Sequence, residues 1–158
     1  MSWSEPATRD VMERFPRSAG PALVYAGQAM ERKDYDEALR RFQIAIARDR
    51  KEVRGYLGAE RALRSGGRVD EAEKLLLQAR RRFPSNQEVH SELAWNAEAR
   101  PDWPEAVRRW EAFRKRFPNA EVGYRKGAEA LRKVARDADA DALLAQAAVR
   151  FPATAADR

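Results

Sequence analysis

The chain has 158 residues, of which 44% are hydrophobic and 35% charged, with a formal net charge of +6 and no cysteine. This composition indicates a folded chain, and it excludes disulfides, thiolate metal sites and a cysteine nucleophile. No apolar run is long enough to cross a membrane, and the first residues lack the pattern of a secretory signal, so we expect a cytoplasmic protein.

The tripeptide Arg-Phe-Pro occurs four times and defines the frame of the chain. In the last three copies the phenylalanines, Phe83, Phe117 and Phe151, are 34 residues apart, and Phe15 lies two such steps before Phe83. Asp49 occupies the missing step, so the period holds where the motif is lost. A constant period of this length without insertions predicts an array of structural repeats.

The frame divides the chain into a leading helix, four repeats and a tail, which we interpret as one domain. Residues 1–16 are predicted to form an N-terminal cap helix, with Ser4 as its N-cap, Pro6 in its first turn and an apolar side that covers the first repeat. The repeats are expected at 17–50, 51–84, 85–118 and 119–152, and the tail at 153–158.

Each repeat is predicted to contain two helices joined by a tight turn. Gly67 can adopt the left-handed conformation that closes a helix, and Asp34 and Asp102 are favourable N-caps for the helices that follow. The closing prolines end each second helix, and we expect the adjacent phenylalanine to pack at the junction with the next repeat. The motif therefore has a structural role, and function is expected at residues that do not repeat.

An alanine recurs near the start of every second helix, where a larger side chain would force the paired helices apart. With this period and helix pairing, the chain resembles the tetratricopeptide repeat. The residues that carry the resemblance are Ala26, Tyr35, Ala38, Phe42 and Ala45 in the first repeat, Leu63, Ala72, Leu76, Ala79 and Pro84 in the second, Leu93, Ala94, Trp103, Ala106, Trp110 and Pro118 in the third, and Ala128, Leu131, Ala140, Leu144, Ala147 and Pro152 in the fourth.

Three positions depart from the pattern of that family. Arg50 replaces the closing proline, Glu60 replaces a small residue, and Asp137 replaces an aromatic one. The resemblance nevertheless covers residues 17–152 in constant register. It implies an all-α fold, a right-handed α-α superhelical solenoid of four 34-residue helix-turn-helix repeats with an N-terminal cap helix.

Catalytic chemistry has little support in the sequence. His90 is the only histidine, which excludes sites that need two, and its position favours packing between helices. The acidic pairs begin predicted helices, where negative charge complements the helix dipole. No phosphate-binding glycine motif or calcium loop occurs. We therefore expect no enzymatic activity, and no catalytic, metal or cofactor-binding residues.

The resemblance implies that the first helices of the repeats line a concave groove that binds a protein or peptide partner. The predicted groove residues are Leu23, Met30, Arg54, Leu57, Arg61, Arg64, Trp95, Glu98, Arg125 and Arg132. Arg54, Arg61 and Arg64 have helical spacing, so their guanidinium groups could converge, with Trp95 as an aromatic platform on the next first helix. We expect an acidic segment with an apolar anchor. Alternatively, these arginines are simply solvated.

Other functions remain open at this stage. The same basic residues could bind RNA, with Trp95 stacking on a base, although Glu88, Glu98 and Glu129 would repel phosphates. Family analogy alone indicates an accessory module of a bacterial glycosyltransferase or sulfotransferase system. Apolar residues of the last helix could form a homodimer through the C-terminal repeat. These residues are Leu143, Leu144, Ala147 and Val149.

Overall fold

The computed structural model describes residues 4–152, which form nine α-helices and no strand in that range. The helices are α1 (Glu5–Arg14), α2 (Ala19–Glu31), α3 (Tyr35–Arg48), α4 (Val53–Ser65), α5 (Val69–Arg82), α6 (Gln87–Ala99), α7 (Trp103–Arg116), α8 (Glu121–Lys133) and α9 (Asp137–Arg150). The tail expected at 153–158 and the first three residues of the expected cap helix lie outside the described residues. The all-α repeat prediction is confirmed.

The helix boundaries follow the period of the sequence. The helices α2, α4, α6 and α8 begin at residues 19, 53, 87 and 121, and α3, α5, α7 and α9 begin at 35, 69, 103 and 137. Both series advance by the same constant step as the Arg-Phe-Pro motif. The sequence period is therefore also the period of the helix pairs.

The helices form two compact units, which divide between Val89 and His90 in the first turn of α6. In the first unit each helix from α1 to α5 packs against the next, and α2 also contacts α4. In the second unit one core joins α6, α7 and α8, and another joins α8 to α9. Within each unit, the second helices α3, α5, α7 and α9 bury apolar residues against first helices of the same unit.

The turns between paired helices share one backbone conformation. Gly67 has a φ of +78°, as predicted, but Lys33 (φ 60°) and Ala135 (φ 57°) adopt the left-handed region at corresponding positions without being glycine. Helix packing therefore imposes this turn, because a non-glycine residue occupies it only at a cost. The predicted caps are confirmed, since the Asp34 and Asp102 carboxylates accept hydrogen bonds at 3.2 Å from backbone amides three residues ahead.

The phenylalanine of the repeated motif packs on an aromatic residue of the first helix in its own repeat. Phe83 meets Tyr56 and Phe151 meets Tyr124, each edge-on with ring centroids 5.4 Å apart. Phe117 contacts His90 in the same way at 5.3 Å, so the packing role expected for this histidine is confirmed. Phe15 is exposed, because it lacks such a partner.

The end helices differ from expectation. Ser4 begins α1 but forms no side-chain cap; instead its carbonyl accepts a bond from the Thr8 hydroxyl at 3.1 Å. In α9 the predicted apolar surface is largely internal, because Leu143 is buried and Leu144 and Ala147 pack against the same core. Val149 is the residue of that set that stays exposed.

Polar contacts attach α1 to the first repeat, and Arg41 of α3 is their centre. Its side chain is 6% exposed, and it donates to the Glu5 carboxylate at 2.5 Å, the Glu37 carboxylate at 2.7 Å and the Tyr25 carbonyl at 2.9 Å. Its guanidinium carbon also lies 3.4 Å from the Tyr25 ring centroid. Hydrogen bonds from Arg41 hold the pKa of both carboxyls below the ordinary value. Burial by itself would lower the pKa of Arg41, but these carboxylates raise it.

We predict that Arg41→Ala destabilises the protein far more than Arg40→Ala. Arg41 is buried, but the two carboxylates that would lose their cation are partly exposed, so we expect the free energy of unfolding to fall by about 2 kcal/mol. Arg40 bonds the same Glu37 from an exposed position, so its removal should cost at most about 0.5 kcal/mol. Urea unfolding of both variants measures the difference, and equal losses would contradict the prediction.

The Arg41 effect should also depend on pH. The pKa values of Glu5 and Glu37 are lowered in the folded chain, so these ion pairs add stability above the ordinary carboxyl pKa. As the pH falls through the lowered values, the carboxylates become neutral and that stability is lost. The gap between wild type and Arg41→Ala should therefore shrink in acid. Urea unfolding of both proteins over a series of acidic pH values measures the gap, and a constant gap would argue against these ion pairs.

Candidate functional site

In the first unit, the predicted groove residues of α2 lie at the edge of the core. Leu23 and Met30 are half-buried and pack against the cluster formed by α2, α3 and α4. Between them, Gly27 faces open space, since a Cβ built there would meet nothing within 4 Å. This side of α2 thus presents partly exposed apolar side chains beside a residue without a side chain.

The three arginines of α4 differ in the carboxylates that they contact. The Glu52 carboxylate holds Arg54 by bonds of 2.9 and 2.7 Å, and the Glu60 carboxylate lies 3.1 Å from Arg64 Nε. The side chain of Arg61 is 56% exposed, and the Glu88 carboxylate lies at the limit of ion pairing, 4.0 Å away. Carboxylates therefore already pair with two of the three guanidinium groups, and the convergence of all three on one ligand stays a prediction.

Leu57 of α4 is a further predicted groove residue, and the structure places it in the core. It is buried in a cluster with Tyr56, Ala79 and Val89. Helical spacing placed it on the same face as Arg54 and Arg61, but the packing of neighbouring helices covers that part of the face. Leu57 therefore supports the surface of α4 without being available to a ligand.

Glu60 is the unusual residue of α4, because it carries a carboxylate at 0% exposure. The sequence signalled it as a departure from a small residue but gave no role. In the structure Arg64 lies 3.1 Å from this carboxylate, so the buried negative charge has a cation beside it. A buried carboxylate is costly unless it is paired, so Arg64 is needed for stability and is not simply a groove residue.

In the second unit, Trp95 of α6 forms a surface with Lys126 of α8. The Trp95 ring is half-buried and meets Trp110 edge-on at 5.9 Å, while Lys126 Nζ lies 4.2 Å from the Trp95 ring centroid. Lys126 also pairs with Glu129. We call this pair the Trp95–Lys126 surface. The sequence did not indicate Lys126, because the contact arises from packing of α8 on α6.

The other predicted residues of this unit have different surroundings. Glu98 accepts a 2.6 Å hydrogen bond from the indole nitrogen of the fully buried Trp110, so part of its carboxylate serves the core. Arg132 pairs at 2.9 Å with Asp141 of α9. Arg125 is exposed on α8. Trp95 and the arginines of α4 belong to different units, so each surface stands by itself.

Among residues 4–152, no group of three or more His, Asp or Glu side chains is arranged to hold a metal ion. None of the described helices combines the length and the apolar character needed to span a bilayer.

The comparisons with known proteins agree on the type of fold. The tetratricopeptide repeat family model matches residues 29–96. A crystal structure of MamA has a TM-score of 0.77 at 14% identity, over 92% of this chain and 85% of that one. A thermophilic TPR protein of Thermus thermophilus gives 0.70 at 16%, over 94% and 81%. The APC/C hetero-tetramer Cut9-Hcn1 gives 0.75 at 16%, over 93% of this chain but 28% of that one.

A comparison with curated protein sequences finds no significant match. The structural identities are low, so these likenesses describe the fold and assign no ligand.

We predict that Glu60 and Arg64 are energetically coupled. Arg64→Ala removes the cation beside a buried carboxylate and should lower the free energy of unfolding by about 2 kcal/mol, less than for a fully buried pair because Arg64 is partly exposed. In a Glu60→Ala background the same change should cost at least about 1 kcal/mol less. Urea unfolding of the two single variants and the double variant measures the coupling, with Arg61→Ala as the exposed control. Additive losses would contradict the prediction.

Proposed function

We propose that this chain, which is a tetratricopeptide-repeat protein, is a non-enzymatic interaction module that binds a segment of a partner protein. Helical repeats of this family generally mediate protein–protein interaction. One structural neighbour is part of the Cut9-Hcn1 hetero-tetramer, and we propose that this chain uses the fold in the same general way. The cytoplasm is the proposed compartment.

The exposed guanidinium of Arg61 is the observation that carries the proposal for the first unit. It projects from a first helix with 56% of its side chain exposed, while Arg54 and Arg64 are already engaged by carboxylates. A carboxylate of the partner can bind Arg61 by charge-assisted hydrogen bonds. The half-buried Leu23 and Met30 of α2 offer apolar area to a neighbouring side chain, so the proposed segment is acidic with an apolar anchor.

The Trp95–Lys126 surface is a further proposed contact within the second unit. Lys126 covers the Trp95 ring at 4.2 Å, and Arg125 is exposed on the same helix as Lys126. These cations also suit an acidic segment. They disfavour the RNA alternative, because a base that stacks on Trp95 would have to displace Lys126. The alternative is an accessory role in a glycosyltransferase or sulfotransferase system. The identity of the partner protein distinguishes the two roles.

We predict that Arg61→Glu weakens partner binding at least about tenfold, the loss expected when a charge-assisted hydrogen bond is replaced by repulsion. The partner is first identified by affinity capture from the source organism, and binding to the purified partner is then measured by calorimetry. Arg81→Glu, an equal charge change at an exposed position of α5, is the matched control and should bind normally.

Two outcomes would contradict this proposal. If Arg61→Glu binds like wild type, Arg61 is not in the site. If the captured ligand is RNA, whose binding falls steeply as salt increases, the chain is a nucleic-acid-binding protein.

Exposed apolar residues of α9 support a second proposal, a homodimer through the C-terminal repeat. Val149 is 85% exposed, and with Ala142, Ala145 and Tyr124 it lines a shallow groove of about 600 Å³. An apolar groove of this kind favours association, because burying it removes apolar surface from water. A second copy of this chain is the proposed occupant.

Light scattering tests the dimer, with Val149→Glu as the disrupting variant. We expect wild type to be dimeric, Val149→Glu to be monomeric, and Val24→Glu, a matched change at an exposed valine of α2, to remain dimeric. Val149 is preferable to Leu144, whose half-buried side chain belongs to the core. A monomeric wild type at its highest soluble concentration would refute the dimer.

A further inference from the structure

A groove lies between α7 and α9 in the second unit, with α8 as its floor and a volume of about 510 Å³. Its apolar wall includes Val107, Tyr124 and Leu143. Five charged side chains also line it: Glu111, Arg114, Lys115, Arg136 and Asp139. Neither Trp95 nor Lys126 lines this groove, but Tyr124, Ala142 and Gln146 also line the shallow α9 groove, so these two grooves adjoin.

Four of the five charges of this groove are paired with each other. Lys115 pairs with Glu111, and Arg136 with Asp139, each at 2.7 Å. The half-buried Arg114 guanidinium carries five N–H donors, but its polar contact among the described residues is a single bond of 3.3 Å to the Gly123 carbonyl. Burial lowers the pKa of Arg114 below its ordinary value, which the Glu111 carboxylate and Tyr124 only partly offset.

The backbone of α8 makes room for this arginine. A Cβ at position 127 would lie 2.1 Å from Arg114 Nη1, and a Cβ at position 123 would lie 3.0 Å from Arg114 Cγ. Gly127 therefore leaves room for the guanidinium, whereas the space at Gly123 is used first by the Phe113 ring, 2.7 Å from a Cβ built there. The half-buried guanidinium lies where position 127 has no side chain, so it rests against α8 and is not a fully solvated surface charge.

The first unit contains the same groove without the arginine. Between α3 and α5, over α4, residues two repeats earlier in the chain line a groove of about 270 Å³. It retains an equivalent ion pair, Arg68 with Glu71, at 2.7 Å. Ile46 stands where the second groove has Arg114, and Ala59 where it has Gly127. The ion pair is shared, and among the positions that differ these two together add a cation and the space that it occupies.

We propose that the α7–α9 groove binds a carboxylate of an acidic peptide segment through Arg114. The charged side chains of the groove, three positive and two negative, sum to +1, which matches one carboxylate better than a doubly charged phosphate. The planar guanidinium can form two parallel hydrogen bonds to a carboxylate. The apolar wall accepts an aliphatic side chain next to the acid.

Amide chemical shifts of the full chain test the proposal, with N-acetyl-Leu-Glu-Leu-amide as the probe and its Leu-Gln-Leu counterpart as the uncharged control. We expect the Glu peptide to shift the amides of Gly123, Tyr124 and Gly127 with a millimolar Kd, and the Gln peptide to bind at least about tenfold more weakly. The amides around Ile46 and Ala59 in the first groove should not move.

Two sets of variants separate binding from folding. Arg114→Ile copies the first groove and should abolish the shifts while the thermal transition is retained. The double variant Ile46→Arg with Ala59→Gly introduces the arginine and the glycine of the second groove into the first groove, and it should create binding of the Glu peptide there. This result does not depend on whether Arg114→Ile folds. Arg61→Glu should leave the titration with the Glu peptide unchanged. The proposal for this groove and the proposal for Arg61 of α4 can therefore be refuted independently.

Several results would overturn the proposal. The Gln peptide could shift the same amides as strongly as the Glu peptide, or a folded Arg114→Ile could still bind. Tighter binding of inorganic phosphate than of the Glu peptide would show an anion site without carboxylate preference. No shift at about 10 mM Glu peptide would exclude the millimolar site.

Discussion

The close crossing of two helices at one alanine in each repeat is the constraint on which the rest of the structure depends. Ala38, Ala72, Ala106 and Ala140 occupy the same position in the repeat frame, and each has no exposed surface. Because a larger side chain there would separate the helices, the pair spacing is constant. One turn later the frame holds Phe42, Leu76, Trp110 and Leu144, so the volume that fills the space beside the crossing varies. The constant crossing leaves the outward positions available for charge pairs and binding surfaces.

A longer period, of two repeats, underlies the polar contacts. Arg41 and Arg109 occupy the same position two repeats apart, and each pairs at 2.7 Å with the glutamate one helical turn before it. Each also donates to a first-helix carbonyl, of Tyr25 at 2.9 Å and of Leu93 at 2.6 Å. Leu75 and Leu143 occupy the corresponding positions of the other repeats. The contact between the two helices of a repeat at this position is therefore made by arginine in one repeat and by leucine in the next. The two grooves between second helices also lie two repeats apart, and they differ in having Ile46 or Arg114 at the equivalent position.

The candidate surfaces were only partly predictable. Helical spacing correctly places Arg61 and Arg125 on exposed parts of first helices, because the face of a residue follows from its position in the helix. It does not show that Glu52 and Glu60 engage Arg54 and Arg64, that Leu57 is covered, or that Glu98 bonds the Trp110 indole. Whether a charge is available to a ligand depends on which side chains meet it, and those partners come from neighbouring helices or from rotamers that the core selects.

The sequence by itself determined the period, the order of the helix pairs, the Asp34 and Asp102 caps and the resemblance to the tetratricopeptide repeat. These features depend on local propensity and on regular spacing, which can be read from one stretch of chain at a time. Only the tertiary structure decided the Arg41 contacts and the left-handed turns at Lys33 and Ala135. It also decided the Trp95–Lys126 contact and the position of Arg114 beside Gly123 and Gly127. Each of these is set by distances between side chains or by packing between helices, and helix periodicity does not encode those distances.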